Sequence, residues 1–331
     1  MKKVFTVLLM SALMVFAVLP VFAQGGNESA SAEKTVFPTG DSLTISVPVS
    51  AGAGMDTQAR IIARYLEKQI GKPVVIENIA GGATVLASQT YLAEDVDSDY
   101  IIMLSTDHMV ITPVLQKANY SYKNFVPLSA NSYSEEYFWV NVDSPFQTWD
   151  DVIAASKVKP VIFGTGAKSG PVYIATKAAC TLSGVNMENV VANSIPESIA
   201  NMMGGHVDIT WSSYATAKSY YLAGKIRPIL GTGVETFHGE NGELNVPTLK
   251  SLGYDFSFSS CNTFAMRSDA DPAAIEYMRT ALRNAYLDPD FKAEWVAAGQ
   301  PYLEDSSYTF AEKAVEQKID LLPTVKEIFG L

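Results

Sequence analysis

The 331-residue sequence is poor in the residues that most often do chemistry, with two cysteines and three histidines. Cys180 and Cys261 have no neighbour at metal-ligand spacing, and His108, His206 and His238 form no His-x-x-x-His pair, so a metal enzyme has little to be built from. In an oxidising compartment the two cysteines allow one disulfide; two buried free thiols fit their apolar surroundings equally well. No G-x-S-x-G elbow surrounds Ser169 or Ser212, and no histidine sits in a context that places a base beside either. Gly52-Ala53-Gly54 falls short of G-x-G-x-x-G, and Gly164-Thr165-Gly166-Ala167-Lys168-Ser169 matches only the tail of a phosphate loop, which argues against a nucleotide cofactor. Basic residues are short as well. The balance of 24 Lys and Arg against 35 Asp and Glu gives a net charge of −11, the wrong sign for general nucleic-acid binding. No catalytic residue, metal or cofactor is expected.

A pair of lysines opens the chain. Lys2 and Lys3 precede an apolar run from Val4 to Val21, and Val21-Phe22-Ala23 offers small residues where a signal peptidase reads. Residues 1–23 are therefore expected to be a cleavable export signal, which places the mature chain in the periplasm or otherwise outside the cytoplasm. No cysteine stands at that junction to take a lipid. Residues 24–40 are small and polar without periodicity, a flexible leader. Losing Lys2 and Lys3 moves the net charge from −11 to −13. The remaining chain of about 300 residues suits two domains of about 150.

Beyond the leader, short β-rich runs alternate with helical patterns. Leu43–Val49 reads as a strand, followed by the small-residue loop Ser50-Ala51-Gly52-Ala53-Gly54-Met55-Asp56 and a helix whose apolar face is Ala59, Ile62, Ala63, Leu66 and Ile70. The device recurs. Pro73–Asn78 leads into Ala80-Gly81-Gly82-Ala83 and a helix through Leu92, and Val161–Gly166 leads into Ala167-Lys168-Ser169-Gly170-Pro171 and a helix to Leu182. Ile101–Leu104 is uniformly apolar, as a parallel strand covered on both faces would be. Extended runs at 137–142 and 260–266 are expected to cross between two α/β lobes and act as a hinge, with 41–136 and 263–331 forming one lobe and 137–262 the other. The terminal helices after Pro272 have no strands of their own and are expected to pack back onto the first lobe.

A loop at the C-terminal end of a parallel strand, opening into a helix, aims unpaired N–H groups at one point, and that point favours a carboxylate. Glycine and alanine let the backbone approach, and Ser50, Thr165 and Ser169 add hydroxyl donors. Taken singly, each loop reads equally well as an ordinary tight turn. Asp56 either acts as a base, holds a ligand amine or hydroxyl, or caps the helix that follows. Ser105-Thr106 and Ser212 with Tyr214 follow central strands and are expected to complete the wall, with Tyr214 at the cleft and Trp211 in the core.

Several ordered segments carry a family resemblance: Val47-Pro48 with Ala51-Gly52, Asp56 and Ala59-Arg60; Ile70-Gly71-Lys72-Pro73-Val74-Val75-Ile76-Glu77-Asn78 with Gly81-Gly82-Ala83; Gly204-Gly205-His206-Val207-Asp208; Gly224-Lys225-Ile226-Arg227; and Val246-Pro247-Thr248 with Gly253-Tyr254. From about Leu43 to Leu331 the chain resembles the extracytoplasmic substrate-binding proteins of the tripartite tricarboxylate transporter family. The resemblance implies a two-lobed, type II-like periplasmic binding fold. It also implies a pincer of two loops on one ligand carboxylate, carried over to Ser50 through Asp56 and to Gly164 through Ser169. Lys168 then either neutralises a second ligand carboxylate or points to solvent. Two segments depart from the family pattern: the Pro-Asp-Gly-Tyr turn is Asp97-Ser98-Asp99-Tyr100, and the Val-Pro-Tyr-x-Gly segment is Ala192-Asn193-Ser194-Ile195-Pro196. The implied partners are a small mono- or dicarboxylate and membrane transporter subunits, with the chain itself a monomer; a sensor adaptor docking on a membrane receptor is the alternative.

Overall fold

The computed structural model describes residues 37–134, 136–166, 170–233 and 244–331. The export signal and most of the leader lie outside the described residues, as do Ala167, Lys168 and Ser169. In chain order the elements are β1 (Leu43–Val47), α1 (Gly54–Ile70), β2 (Val74–Asn78), α2 (Val85–Ala93), β3 (Tyr100–Ser105), α3 (Thr106–Leu115), β4 (Phe125–Ser134) and β5 (Glu136–Asn141). They continue with α4 (Trp149–Ser156), β6 (Val161–Thr165), α5 (Pro171–Ser183), β7 (Met187–Val191), α6 (Ile195–Met203), β8 (Ile209–Ser213), α7 (Tyr214–Leu222) and β9 (Ile226–Gly231). The last are β10 (Ser260–Arg267), α8 (Pro272–Tyr286), α9 (Pro289–Ala297) and α10 (Tyr308–Phe329).

These strands form two five-stranded sheets, ordered β2-β1-β3-β10-β4 and β7-β6-β8-β5-β9. In the first sheet β1 is parallel to β2 and β3, while β10 runs antiparallel to β3 and β4. In the second, β6 is parallel to β7 and β8, while β5 runs antiparallel to β8 and β9. The uniform apolarity of Ile101–Leu104 matches its place: all four side chains are fully buried, Ile101 and Met103 toward the cluster under α1, α8 and α9, Ile102 and Leu104 toward α2 and α3. Helix α1 follows from its spacing, since Ala59, Ile62, Leu66 and Ile70 pack against β1 and against Met278 and Leu282 of α8. It stops at Gly71, whose φ of 68° makes a left-handed C-cap with its N–H on Glu67 O. The second sheet is held the same way. Phe138 and Phe163 pack on Trp149 of α4, and Trp139 packs on the opposite face with Met202 and Ala217. Truncating a side chain such as Trp139, fully buried, costs about 3–5 kcal/mol.

Three features differ from the expectation. Residues 37–40 are bound rather than part of a loose leader: Phe37 is buried, and Thr39 N–H donates to Asp99 Oδ1 at 2.6 Å. Gly40 N–H bonds the other carboxylate oxygen, and Lys72 Nζ reaches Gly40 O at 2.7 Å. Asp99, standing where the family turn has glycine, supplies those acceptors. The runs 137–142 and 260–266 each lie inside one sheet, and the chain passes between sheets just before them, from Ser134 to Glu136 and from Gly231 to Ser260. Helix α10 packs on β4 and α3, and its last turn also reaches α5, where Phe329 meets Tyr173 with ring centroids 6.1 Å apart.

Candidate functional site

The strand directions bring every loop of interest to one edge of each sheet. β1, β2 and β3 end together, and the antiparallel pairing of Asn262 with Ser105 and of Ser260 with Ser134 sets both crossings at that same edge. In the second sheet Thr165 pairs with Val191 at the strand ends, and Glu136 pairs with Ser213 where β5 enters. The carboxyl ends of the parallel strands in both sheets therefore adjoin the crossings, which is where open α/β sheets bind ligands. Thr232 knots the crossings together. Its N–H donates to Glu136 O at 2.9 Å, its hydroxyl to Phe258 O at 2.7 Å, and it accepts from Trp211 Nε1 at 3.2 Å.

In the first loop Ser50, Ala51, Gly52 and Gly54 are exposed, Ala53 and Met55 are half-buried, and Asp56 is buried. Asp56 Oδ2 accepts from Gly52 N–H at 2.8 Å and from Arg60 Nε at 3.0 Å; Oδ1 accepts from Asn78 Nδ2 at 3.0 Å and pairs with Arg60 Nη2 at 2.9 Å. Asn78 Nδ2 also donates to Val49 O at 3.0 Å. Both Asp56 oxygens are thus spent on fastening the loop to the end of β2, which fits the helix-start role and leaves little for a base. Burial works against ionisation of Asp56, but the bonds from Arg60, Gly52 and Asn78 outweigh it and hold the carboxyl below its usual range. Gly52, at φ 85°, makes the turn possible.

The loop after β2 is under backbone strain. Gly81, Gly82, Ala83 and Thr84 all have positive φ, and a β-branched residue at 76° is a rare conformation that a packed surrounding must enforce. Ala83 is half-buried, while Thr84 is buried with no partner for its hydroxyl among the described residues. Composition marked this loop through its glycines; nothing in the sequence marked Thr84.

Helix caps separate these loops from the rest of the fold. Among the described residues α1, α2, α3 and α5 have no side-chain cap at Ala53, Thr84, Ser105 and Gly170. The other helices α4, α6, α7, α8, α9 and α10 are capped by Thr148, Ser194, Ser213, Asp271, Asp288 and Ser307. An uncapped start leaves N–H donors and the positive end of the helix dipole for something else, although at α2 one donor is already taken, Val85 N–H bonding Gly82 O in the tight turn before the helix.

The remaining expected residues are differently occupied. Ser105 Oγ bonds His108 Nδ1 at 2.6 Å, and burial lowers the His108 pKa against the opposing pull of Asp107. Thr106 is fully buried. A Cβ at Gly164 would run into Ser198 Oγ, so this glycine makes room for α6. The Thr165 hydroxyl donates its one hydrogen to Asn189 Oδ1, with Gly166 O an alternative acceptor at 3.1 Å. Ser212 is buried, and Tyr214 packs in the cluster of Tyr137, Trp139 and Met202, near Tyr221. Trp211 is buried as well. Cys180 and Cys261 are both free and buried. A surface cavity of about 520 Å³ lies elsewhere, between α8 and the start of α10, and Arg279 in its wall already pairs with Glu276 and Glu312.

The geometry has close counterparts among solved structures. A TctC solute-binding protein from Polaromonas superposes with a TM-score of 0.73 at 19% identity, covering 89% of this chain and 99% of that one. MatC from Rhodopseudomonas palustris, solved with bound malate, gives 0.71 at 17% identity over 86% and 98% of the two chains. Rpa4515 from R. palustris, solved with adipate, gives 0.71 at 20% over 89% and 98%. These likenesses establish the two-domain α/β periplasmic binding protein fold. The sequence profile of the tripartite tricarboxylate transporter family receptor matches residues 58–319, and the chain belongs to that family of extracytoplasmic solute-binding transport receptors.

Proposed function

We propose that the chain captures a small organic carboxylate, mono- or dicarboxylate, between its two lobes and presents the closed form to membrane transporter subunits. The observation that carries this reading is the set of uncapped starts of α1, α2 and α3 along one sheet edge, with the uncapped start of α5 on the edge across the crossings. An anionic carboxylate answers unpaired N–H groups at helix starts, and closure strengthens those bonds by removing water. The charge of Asp56 does not oppose the ligand, because Arg60 balances it at 2.9 Å. The loop Ser50 through Asp56 is the primary seat, and Ala83 approaches from beside it. The loop that follows Gly164, from Thr165 to Ser169, is the second arm of the pincer in this reading, and a ligand with a second carboxylate would test whether Lys168 serves it. The binding of malate by MatC and adipate by Rpa4515 supports a dicarboxylate within this class. Export through cleavage near Ala23 completes the reading.

The test is a thermal-shift screen of the ligand-free mature chain against mono- and dicarboxylates and their matched amides. Selective binding to the folded state raises apparent stability by about 2.7 kcal/mol at a hundred times Kd. A shift with an acid and none with its amide is the expected result. No shift across a broad panel, with folded and ligand-free protein, would remove carboxylate capture.

A further inference from the structure

A buried ammonium lies where the chain passes between the sheets. Helix α10 starts against the first sheet, where Ala311 and Ala314 pack with Ala130 and Cys261, and ends on α5 beside the second. It is thus a third span between the lobes, alongside the two crossings. Lys318, at its middle, is only 3% exposed. Its Nζ donates to Ser259 O at 2.7 Å and lies 3.4 Å from the centroid of the Phe258 ring. Ser259 is the last residue of the return crossing before β10, and Phe258 is bonded through Thr232 to Glu136, where the outgoing crossing enters β5.

Among the described residues three titratable groups act electrostatically on this ammonium: Asp107 of α3, Cys261 of β10 and Glu136 of β5. His108 stands beside Asp107, its Nε2 3.9 Å from the carboxylate. Asp107 is fully buried, and neither of its oxygens has a hydrogen bond among the described residues. Burial lowers the Lys318 pKa to about 8, with Asp107, Cys261 and Glu136 opposing that shift. A lysine held this deep is costly, and an apolar side chain would pack the site as well. Its position between three spans supplies a reason for it. Further along the same helix, Pro323 lacks the N–H that would bond Ile319 O, which takes one backbone bond out of the span.

We propose that Lys318 is the positioning residue of the hinge, tying α10 to the return crossing at Ser259 and balancing Asp107 and Glu136, so that it sets the lobe separation from which capture begins. This rests on the reading of the chain as a receptor that closes over its ligand.

The test measures that separation without ligand, using spin labels at Gln69→Cys on α1 and Ala223→Cys after α7, both exposed positions. In the labelled parent the distance distribution is narrow at pH 6.5 and broadens as pH rises through about 8. Lys318→Arg, which stays charged, remains narrow at pH 9.5, and Lys318→Met is broad throughout and binds carboxylate about tenfold more weakly. Should Lys318→Met fail to fold, the pH series of the parent against Lys318→Arg decides. Distributions that ignore both pH and substitution overturn the proposal. Because the distances are read without ligand, a failed carboxylate screen leaves this result standing, and unchanged distances with normal carboxylate binding sink the hinge role alone.

Discussion

The two lobes treat the helix starts at their facing edges differently. On the lobe of the first sheet α1, α2 and α3 all begin without a side-chain cap among the described residues. On the lobe of the second sheet Ser194 and Ser213 cap α6 and α7, and only α5 begins open, with Pro171 in its first turn removing one donor. A capped start has its donors satisfied at folding, whereas an open one keeps them for a later partner. Under the proposed function, the contrast puts anion reception mainly on the first lobe and leaves the second to close over it.

Ala53→Asp should break that contrast most sharply. The new carboxylate caps α1 from an already extended residue, adding about 0.5–1 kcal/mol to stability, while occupying the donors and repelling the ligand. Carboxylate affinity measured by calorimetry should fall about 100-fold even as the melting temperature rises; unchanged affinity would show that the α1 start is not the seat. Asp56→Asn comes next, expected to cost about 2 kcal/mol by loosening the loop from Asn78 and Arg60. Because the folded-state pKa of Asp56 lies below its ordinary 3.8, its contribution is full above that value and is lost as pH falls through the lowered one. The variant should therefore lose part of the parent's acid-unfolding slope in urea titrations, and equal slopes would count against the clamp.

The two smaller effects fall on the second lobe. Gly164→Ala should cost about 1–3 kcal/mol by pressing on Ser198, with affinity held within twofold. A large affinity loss at preserved stability would instead mark Gly164 as a ligand contact. Ser213→Ala removes the α7 cap and should cost about 1 kcal/mol in chemical denaturation with no measurable change in binding. If it weakened binding as Ala53→Asp does, the two lobes would be equivalent after all.

The strand-loop-helix units were legible because each announces itself locally: an apolar run, a cluster of Gly and Ala, then a helical stripe. That signal located β1 with α1, β2 with α2, and β6 with α5. Helix α3 was not legible, since Thr106, Val110, Ile111 and Thr112 are β-branched and Pro113 interrupts it; its packing against α10 overrides that weak propensity. Strand β4 was hidden by its polar Ser129, Asn131 and Ser132, which are buried and paired with groups far along the chain, as in the bond from Gln58 Nε2 to Ser132 Oγ at 3.3 Å. The role of Asp56 could not be chosen from local sequence because Asn78, which helps decide it, arrives only when β2 pairs with β1. Thr232 and Lys318 escaped notice for the same reason, each acquiring its meaning from segments brought together by the crossings.

The place of β10 between β3 and β4 governs the order in which the molecule can be completed. All strands of the second sheet lie in one uninterrupted stretch from β5 to β9, whereas the first sheet is split until residues 260–267 arrive to fill its gap. The lobe synthesised first is therefore the last to be finished, because its central pairing waits for residues 135–259 to be made. Long-range pairing of this kind folds slowly, so the first lobe stays open until the final quarter of the chain has been made, while the second can already have closed its sheet.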